Sequence, residues 1–216
     1  MPIECLYHAA PLHLIPSILA CGGLVPVETL KSAGLPGRKS VSRRDRKLGL
    51  QVYVHLAPKA RTPILADKLR KGYPHALFTF DAAPVLALEG AAVIAYNPKS
   101  WRHREDFRPV TAREDRERLL AEHAGGRYPG LEVVAPGLVP LSLARSLSFA
   151  AEDERAAAAA VAAALEIETA ISFVTEPDLF PLEAGYAATT MPAIRDYFGA
   201  CAASGRLLLP PEIPFD

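Results

Sequence analysis

Arg127-Tyr-Pro-Gly-Leu-Glu-Val-Val-Ala-Pro136 decides how the rest of the chain is read. Gly130 and Pro136 bracket a short apolar run with β-branched residues, which predicts a buried strand. A single carboxylate, Glu132, sits inside it. Burying an unpaired carboxylate costs on the order of several kcal/mol. The side chain therefore either turns to solvent from a half-exposed strand or faces a groove where something binds it. The remainder of the chain supplies the basic residues and the histidine that the second arrangement needs.

At 216 residues, half of them apolar, the chain suits one domain with a sizeable core, or one domain with an extension. Its formal net charge of zero hides an asymmetry. Lys31 to Lys71 holds twelve Lys/Arg against Asp45 and Asp67, whereas Leu165 to Asp216 holds eight acids and two arginines. A basic block of this kind suits a polyanionic partner, or is a solvated loop. Cys5, Cys21 and Cys201 are too scattered for a disulfide frame or a zinc site, which points to a reducing compartment; no metal site is expected. Met1 to Leu6 has neither the basic start nor the apolar core of a signal peptide. The longest apolar stretch, Ala156 to Leu165, is too short to span a membrane, so a soluble, cytoplasmic protein is expected.

Glu4-Cys-Leu-Tyr-His8 reads as a first strand ending at His8. Pro11 then opens a helix with an apolar stripe of Leu14, Ile15, Ile18 and Leu19, stopped by Gly22-Gly23. His8, at a strand end, can offer a ring nitrogen to a ligand hydroxyl or be a satisfied surface histidine; His13 reads as a polar-face helix residue. Lys31 to Gly49 has no periodicity and carries Arg38-Lys39 and Arg43-Arg44-Asp45-Arg46-Lys47. Guanidinium forks bind phosphates in bidentate fashion, so this loop could grip a pyrophosphate, a nucleic-acid backbone, or both. The chain has no GxGxxG and no Walker loop.

Gln51 to Ala57, Ala76 to Phe80 and Ala92 to Tyr96 read as strands, with a short helix at Ile64 to Leu69 and a turn or short helix at Ala82 to Leu88. Trp101-Arg-His-Arg-Glu-Asp-Phe107 is basic and aromatic together, a combination that stacks and holds bases or else folds onto the core. Arg113 to His123 reads as an amphipathic helix. Val139 to Phe149 gives a helical turn and a strand. Ala150 to Leu165 is a high-propensity helix with acids in its first turn. The proline-rich remainder is irregular apart from a helix at Ala193 to Ala203.

Leu6-Tyr-His with Pro16-Ser-Ile-Leu-Ala-Cys-Gly-Gly-Leu24, then Ala60-Arg-Thr-Pro-Ile-Leu65, then Leu131-Glu-Val-Val-Ala-Pro136 with Val139-Pro-Leu follow one another in an order that resembles the DarT family of DNA ADP-ribosyltransferase toxins. The resemblance spans roughly Leu6 to Leu165. It implies an α+β fold with an ADP-ribosyltransferase-like split mixed β-sheet flanked by helices, covering residues 1–165. Residues 166–216 would form a helical and irregular extension packed on that domain. It implies NAD as co-substrate, with Glu132 and Arg44 catalytic. It also implies NAD contacts at His8, Ala9, Ser17, Gly23, Leu24, Tyr53, Arg43 and Arg44, the choice of phosphate-holding residue among Arg43, Arg44 and Arg46 staying open. Where family members often carry a second histidine and an asparagine in the first motif, this chain has Pro11 and Leu14.

The chemistry agrees with the residues. Loss of nicotinamide leaves positive charge on the ribose, as in glycoside cleavage, and a carboxylate in a dry groove stabilises it. Arg46, Lys47 and Arg61, with Trp101, Arg102 and Arg104, would hold single-stranded DNA so that one base splays toward the ribose. The resemblance further implies an antitoxin partner and a toxin–antitoxin or defence role. Two alternatives stay open: transfer to a protein or small molecule, and a non-catalytic nucleotide- or nucleic-acid-binding module.

Overall fold

The computed structural model describes residues 3–33, 43–96, 108–180 and 190–213, with the side chains of residues 43–45 outside that set. Two sheets and one small ribbon organise them. The first sheet has β4 (His75–Asp81) between β1 (Cys5–Pro11) and β8 (Ala144–Phe149), both antiparallel to it, and β9 (Ser172–Thr175) parallel to β8 at the edge. The second sheet is antiparallel, with β6 (Glu132–Pro136) between β3 (Tyr53–Leu56) and β5 (Ala92–Ile94). The ribbon pairs β2 (Gly23–Leu24) with β7 (Val139–Pro140). This is the α+β, split mixed arrangement expected.

The split follows from where β1 and β3 touch. They share one bridge, in which Tyr7 and Ala57 exchange both main-chain hydrogen bonds at 2.8 Å, and then part. β4 is central, so both its faces are apolar. Ala76, Phe78 and Phe80 enter the main core, while Leu77 enters a second cluster beneath α4 (Pro63–Arg70) with Leu65, Leu69 and Phe180. The Thr62-Pro63 pair starts α4 for a local reason. Thr62 Oγ1 accepts from the Leu65 amide at 3.1 Å, and proline occupies the first turn, where no amide is needed.

Helices cover the sheets. α7 (Glu152–Ala164) and α8 (Met191–Ser204) pack together, and both bury residues in the main core: Ala158 and Val161 from the first, Ile194, Phe198 and Cys201 from the second. α5 (Ala82–Leu86) follows β4 and α6 (Arg113–Ala124) lies against β5, and Arg116 of α6 donates to the carbonyls of Leu86, at the end of α5, and Ala91, just before β5. At the ribbon, a Cβ on Gly23 would stand 2.6 Å from the Val139 carbonyl oxygen, so only glycine allows that approach.

Several local expectations change. β1 runs on to Pro11 because β4 pairs with it to His75, and the helix expected from Pro11 becomes a 3-10 turn at Leu12–Leu14 followed by α1 (Ile15–Ala20). His13 is therefore buried, 5 % exposed, rather than on a polar face. The stretch Lys31 to Gly49, read as an aperiodic loop, begins in the last turn of α2 (Val27–Ser32) and contains α3 (Arg43–Leu48). β9 is a strand where irregular chain was expected, and α8 starts two residues early.

Candidate active site at the split between the sheets

β1, β3 and β6 lie side by side in space, and one histidine or glutamate on each forms a connected row. Just past the Tyr7–Ala57 bridge the ladder opens, and the His8 ring takes over: its Nδ1 lies 2.8 Å from the main-chain oxygen of His55. A carbonyl only accepts, so Nδ1 carries the proton. Burial, the largest influence, holds the His8 imidazole below its ordinary value; its bond to His55 works the other way. A neutral ring with Nδ1–H leaves Nε2 as an acceptor, the atom able to receive a ligand hydroxyl.

Glu132 opens β6 opposite Ile94. Its side chain is 16 % exposed, and Oε2 lies 2.8 Å from His55 Nδ1. The carboxylate thus faces inward. His55 stands directly opposite Val134 on the ladder, and Glu132 is two residues from Val134 on the same face, a diagonal that long side chains can span. The face is otherwise apolar: Leu48, Leu50, Ala92, Ile94 and Val134 cluster there, with Tyr53 packed against them. Leu48 ends α3 and Leu50 follows it, so the basic helix is anchored to the sheet that bears Glu132.

The structure therefore brings together His8, Tyr53, Glu132 and the backbone of α3. Arg46 and Lys47 are exposed on α3; the side chains of Arg43 and Arg44, and all of Trp101, Arg102 and Arg104, lie outside the described residues. Ser17 is buried in α1, and Gly23 and Leu24 are buried in the ribbon beside β7. Ala9 points from the sheet face opposite to His8, into the cluster beneath α4. Arg61 is exposed and donates to the Asp178 carbonyl. Pro11 and Leu14 end β1 and fill the following turn, with Leu14 buried. A depression between α5 and α6, bordered by Leu86, Arg116 and Leu120, includes none of these residues.

Sequence reasoning missed His55. The signal was present: in Tyr53-Val-His-Leu56 the buried Val54 and Leu56 leave Tyr53 and His55 on the other face together. It also missed an aromatic pair before β6, where Tyr96, 60 % exposed, meets Tyr128 edge-to-face with ring centres 5.3 Å apart and the Arg127 guanidinium lies 5.4 Å from the Tyr128 ring centre. Tyr128 has φ of 53°, left-handed for a non-glycine residue, and its carbonyl is held 2.8 Å from Nδ1 of the buried His123. Among the described residues no group of three His, Cys, Asp or Glu side chains gathers as metal ligands, and no helix is long and apolar enough to cross a membrane.

No protein-family model matches the chain, and no curated protein does. Solved structures do match. Thermus sp. 2.9 DarT in complex with NAD+ aligns with a TM-score of 0.63 at 12 % identity, over 82 % of this chain and 98 % of that one. The same protein in complex with ADP-ribosylated ssDNA gives 0.66 at 12 % identity, over 83 % and 97 %. Thermosipho africanus DarTG in complex with ADP-ribose gives 0.60 at 14 % identity, over 83 % of this chain and 51 % of that one. The chain has a DarT-like fold.

Proposed function

We propose that this chain transfers ADP-ribose from NAD to a base of single-stranded DNA and acts as the toxin of a toxin–antitoxin or defence system. The observation that carries the reading is the inward carboxylate of Glu132, joined through His55 to His8 across the split between the sheets. The DarT structures that share the fold, in complex with NAD+ and with ADP-ribosylated ssDNA, support both the co-substrate and the acceptor.

In this reading the nicotinamide ribose lies over the β3–β6 face. His8 Nε2 accepts from a ribose hydroxyl, and the basic segment around α3, with Arg44 or Arg43 foremost, holds the pyrophosphate. The bond between the ribose anomeric carbon and the nicotinamide nitrogen breaks, and nicotinamide leaves as a neutral molecule. The ribose carries oxocarbenium charge, which the Glu132 carboxylate stabilises from a largely water-excluded position. A base nitrogen then attacks the anomeric carbon, and the proton it sheds passes to Glu132 and on to solvent. Arg46, Lys47 and Arg61 hold the DNA backbone, with Trp101, Arg102 and Arg104 on the acceptor side. The row at the split needs no metal for these steps.

Incubation with labelled NAD and single-stranded oligonucleotides tests this directly. Label is expected in DNA, and Glu132→Ala is expected to reduce the rate by about 10²–10³-fold. Label in protein alone would move the acceptor to a side chain. DNA binding with no NAD turnover would leave a binding module.

A further inference from the structure

We propose that His55 is a positioning residue that sets the direction of the Glu132 carboxylate; this rests on the role just given to Glu132. Both ends of His55 are in use. Its main-chain oxygen receives the His8 ring at 2.8 Å, and its own ring Nδ1 lies 2.8 Å from Glu132 Oε2. An ionised carboxylate accepts only, so the proton of this bond sits on Nδ1, a charge-assisted donor in partly dehydrated surroundings.

The surroundings say why a histidine stands there. The face of β3 that bears it otherwise packs Tyr53 with Leu48, Leu50, Ile94 and Val134, where a polar ring is unfavourable without a partner. The ring is also confined on its far side, with Nε2 3.4 Å from the Leu50 carbonyl oxygen. Leu50 opens the 3-10 turn after Gly49, just beyond α3, so the His55 side chain links Glu132 to the segment that leaves the basic helix while its main-chain oxygen holds the His8 ring. The bond fixes Oε2 relative to β3, and its loss removes one restraint on the direction of the carboxylate. Misplacement on the ångström scale costs up to about 10²-fold in rate.

Two substitutions and one spectrum test this. His55→Leu keeps volume without a donor, and His55→Asn places an amide N–H near the position of Nδ1. We expect both to fold by thermal melting and to keep the KM for NAD within roughly threefold, a change worth well under 1.4 kcal/mol. His55→Leu should lose about 10²-fold in kcat, and His55→Asn should recover most of it. Ring-nitrogen NMR of the wild type should show a protonated Nδ1 on His55 whose proton moves upfield in Glu132→Ala. An unchanged kcat in His55→Leu, equal loss in both variants, or an Nδ1 without a proton would overturn the proposal. If His55→Leu does not fold, the spectrum decides. If Glu132→Ala turns over NAD normally, it is the proposed function that fails, while the spectrum still reports on the His55–Glu132 bond.

Discussion

Glu132 and Glu154 are both carboxylates in apolar surroundings, and they are accommodated differently. Glu132 has His55 within hydrogen-bond distance. Glu154, 8 % exposed in the first turn of α7, is pushed up from 4.5 to about 7 by burial, with Asp153 adding to the shift. Its folded value is raised, so the stability linked to its proton is present below about 4.5 and is lost as pH rises through about 7. Glu154→Gln should therefore stabilise the protein at pH 8 by on the order of 2 kcal/mol, and the gain should shrink toward pH 5, as read by urea unfolding. His13 runs the other way. Burial pulls it from 6.5 down to about 4, so its contribution is present above 6.5 and is lost as pH falls. The two offset one another between those values. The lowered His8 acts in the same direction as His13, so the wild type should lose some stability between about pH 6.5 and 5, and Glu154→Gln, without the opposing carboxyl, should lose more over that window.

At the scale of elements, what the sequence showed and what it hid have physical reasons. β3, β4 and β6 were legible because alternation and β-branched residues announce strands without help from the fold. Glu132 was legible for the same reason, being the one charge in an apolar strand. The end of β1 was not. Leu14, Ile15, Ile18 and Leu19 carry the spacing of a helix that Pro11 would open, but seven paired positions with β4 hold the chain extended to Pro11. β9 was hidden because Ser172-Phe-Val-Thr175 is short and acquires its identity only from parallel pairing with β8. α3 was hidden by its own charges, since a helix of Arg and Lys with one buried leucine has no stripe to read. The role of the Ala60-to-Leu65 box is also local: Thr62→Ala should cost about 1 kcal/mol in a urea unfolding curve by removing the cap, with every other interaction of α4 left in place.

The whole molecule couples these parts. The segment 166–216 gives the first sheet its edge strand and gives the core Ile171, Ile194, Tyr197, Phe198 and Cys201. A chain ending at Leu165 would expose the inner face of α7, so it should collect in the insoluble fraction or lack a cooperative melt, where the full chain gives one. The charge asymmetry belongs to this scale as well. Replacing Arg46 and Lys47 together with serine should weaken binding of a single-stranded oligonucleotide across all sequences. The slope of log affinity against log salt should become shallower by roughly 0.7 for each phosphate that is no longer neutralised.

The central claim is that Glu132 faces the sugar whose bond breaks, and a crystal structure with a non-cleavable NAD analogue measures that directly. The account predicts the analogue across the split between the sheets, its pyrophosphate at the basic segment around α3, and a hydroxyl of the nicotinamide ribose within hydrogen-bond distance of the Glu132 carboxylate. An analogue bound elsewhere, or one whose nicotinamide ribose lies beyond reach of Glu132 while the His55–Glu132 bond stays intact, would contradict it.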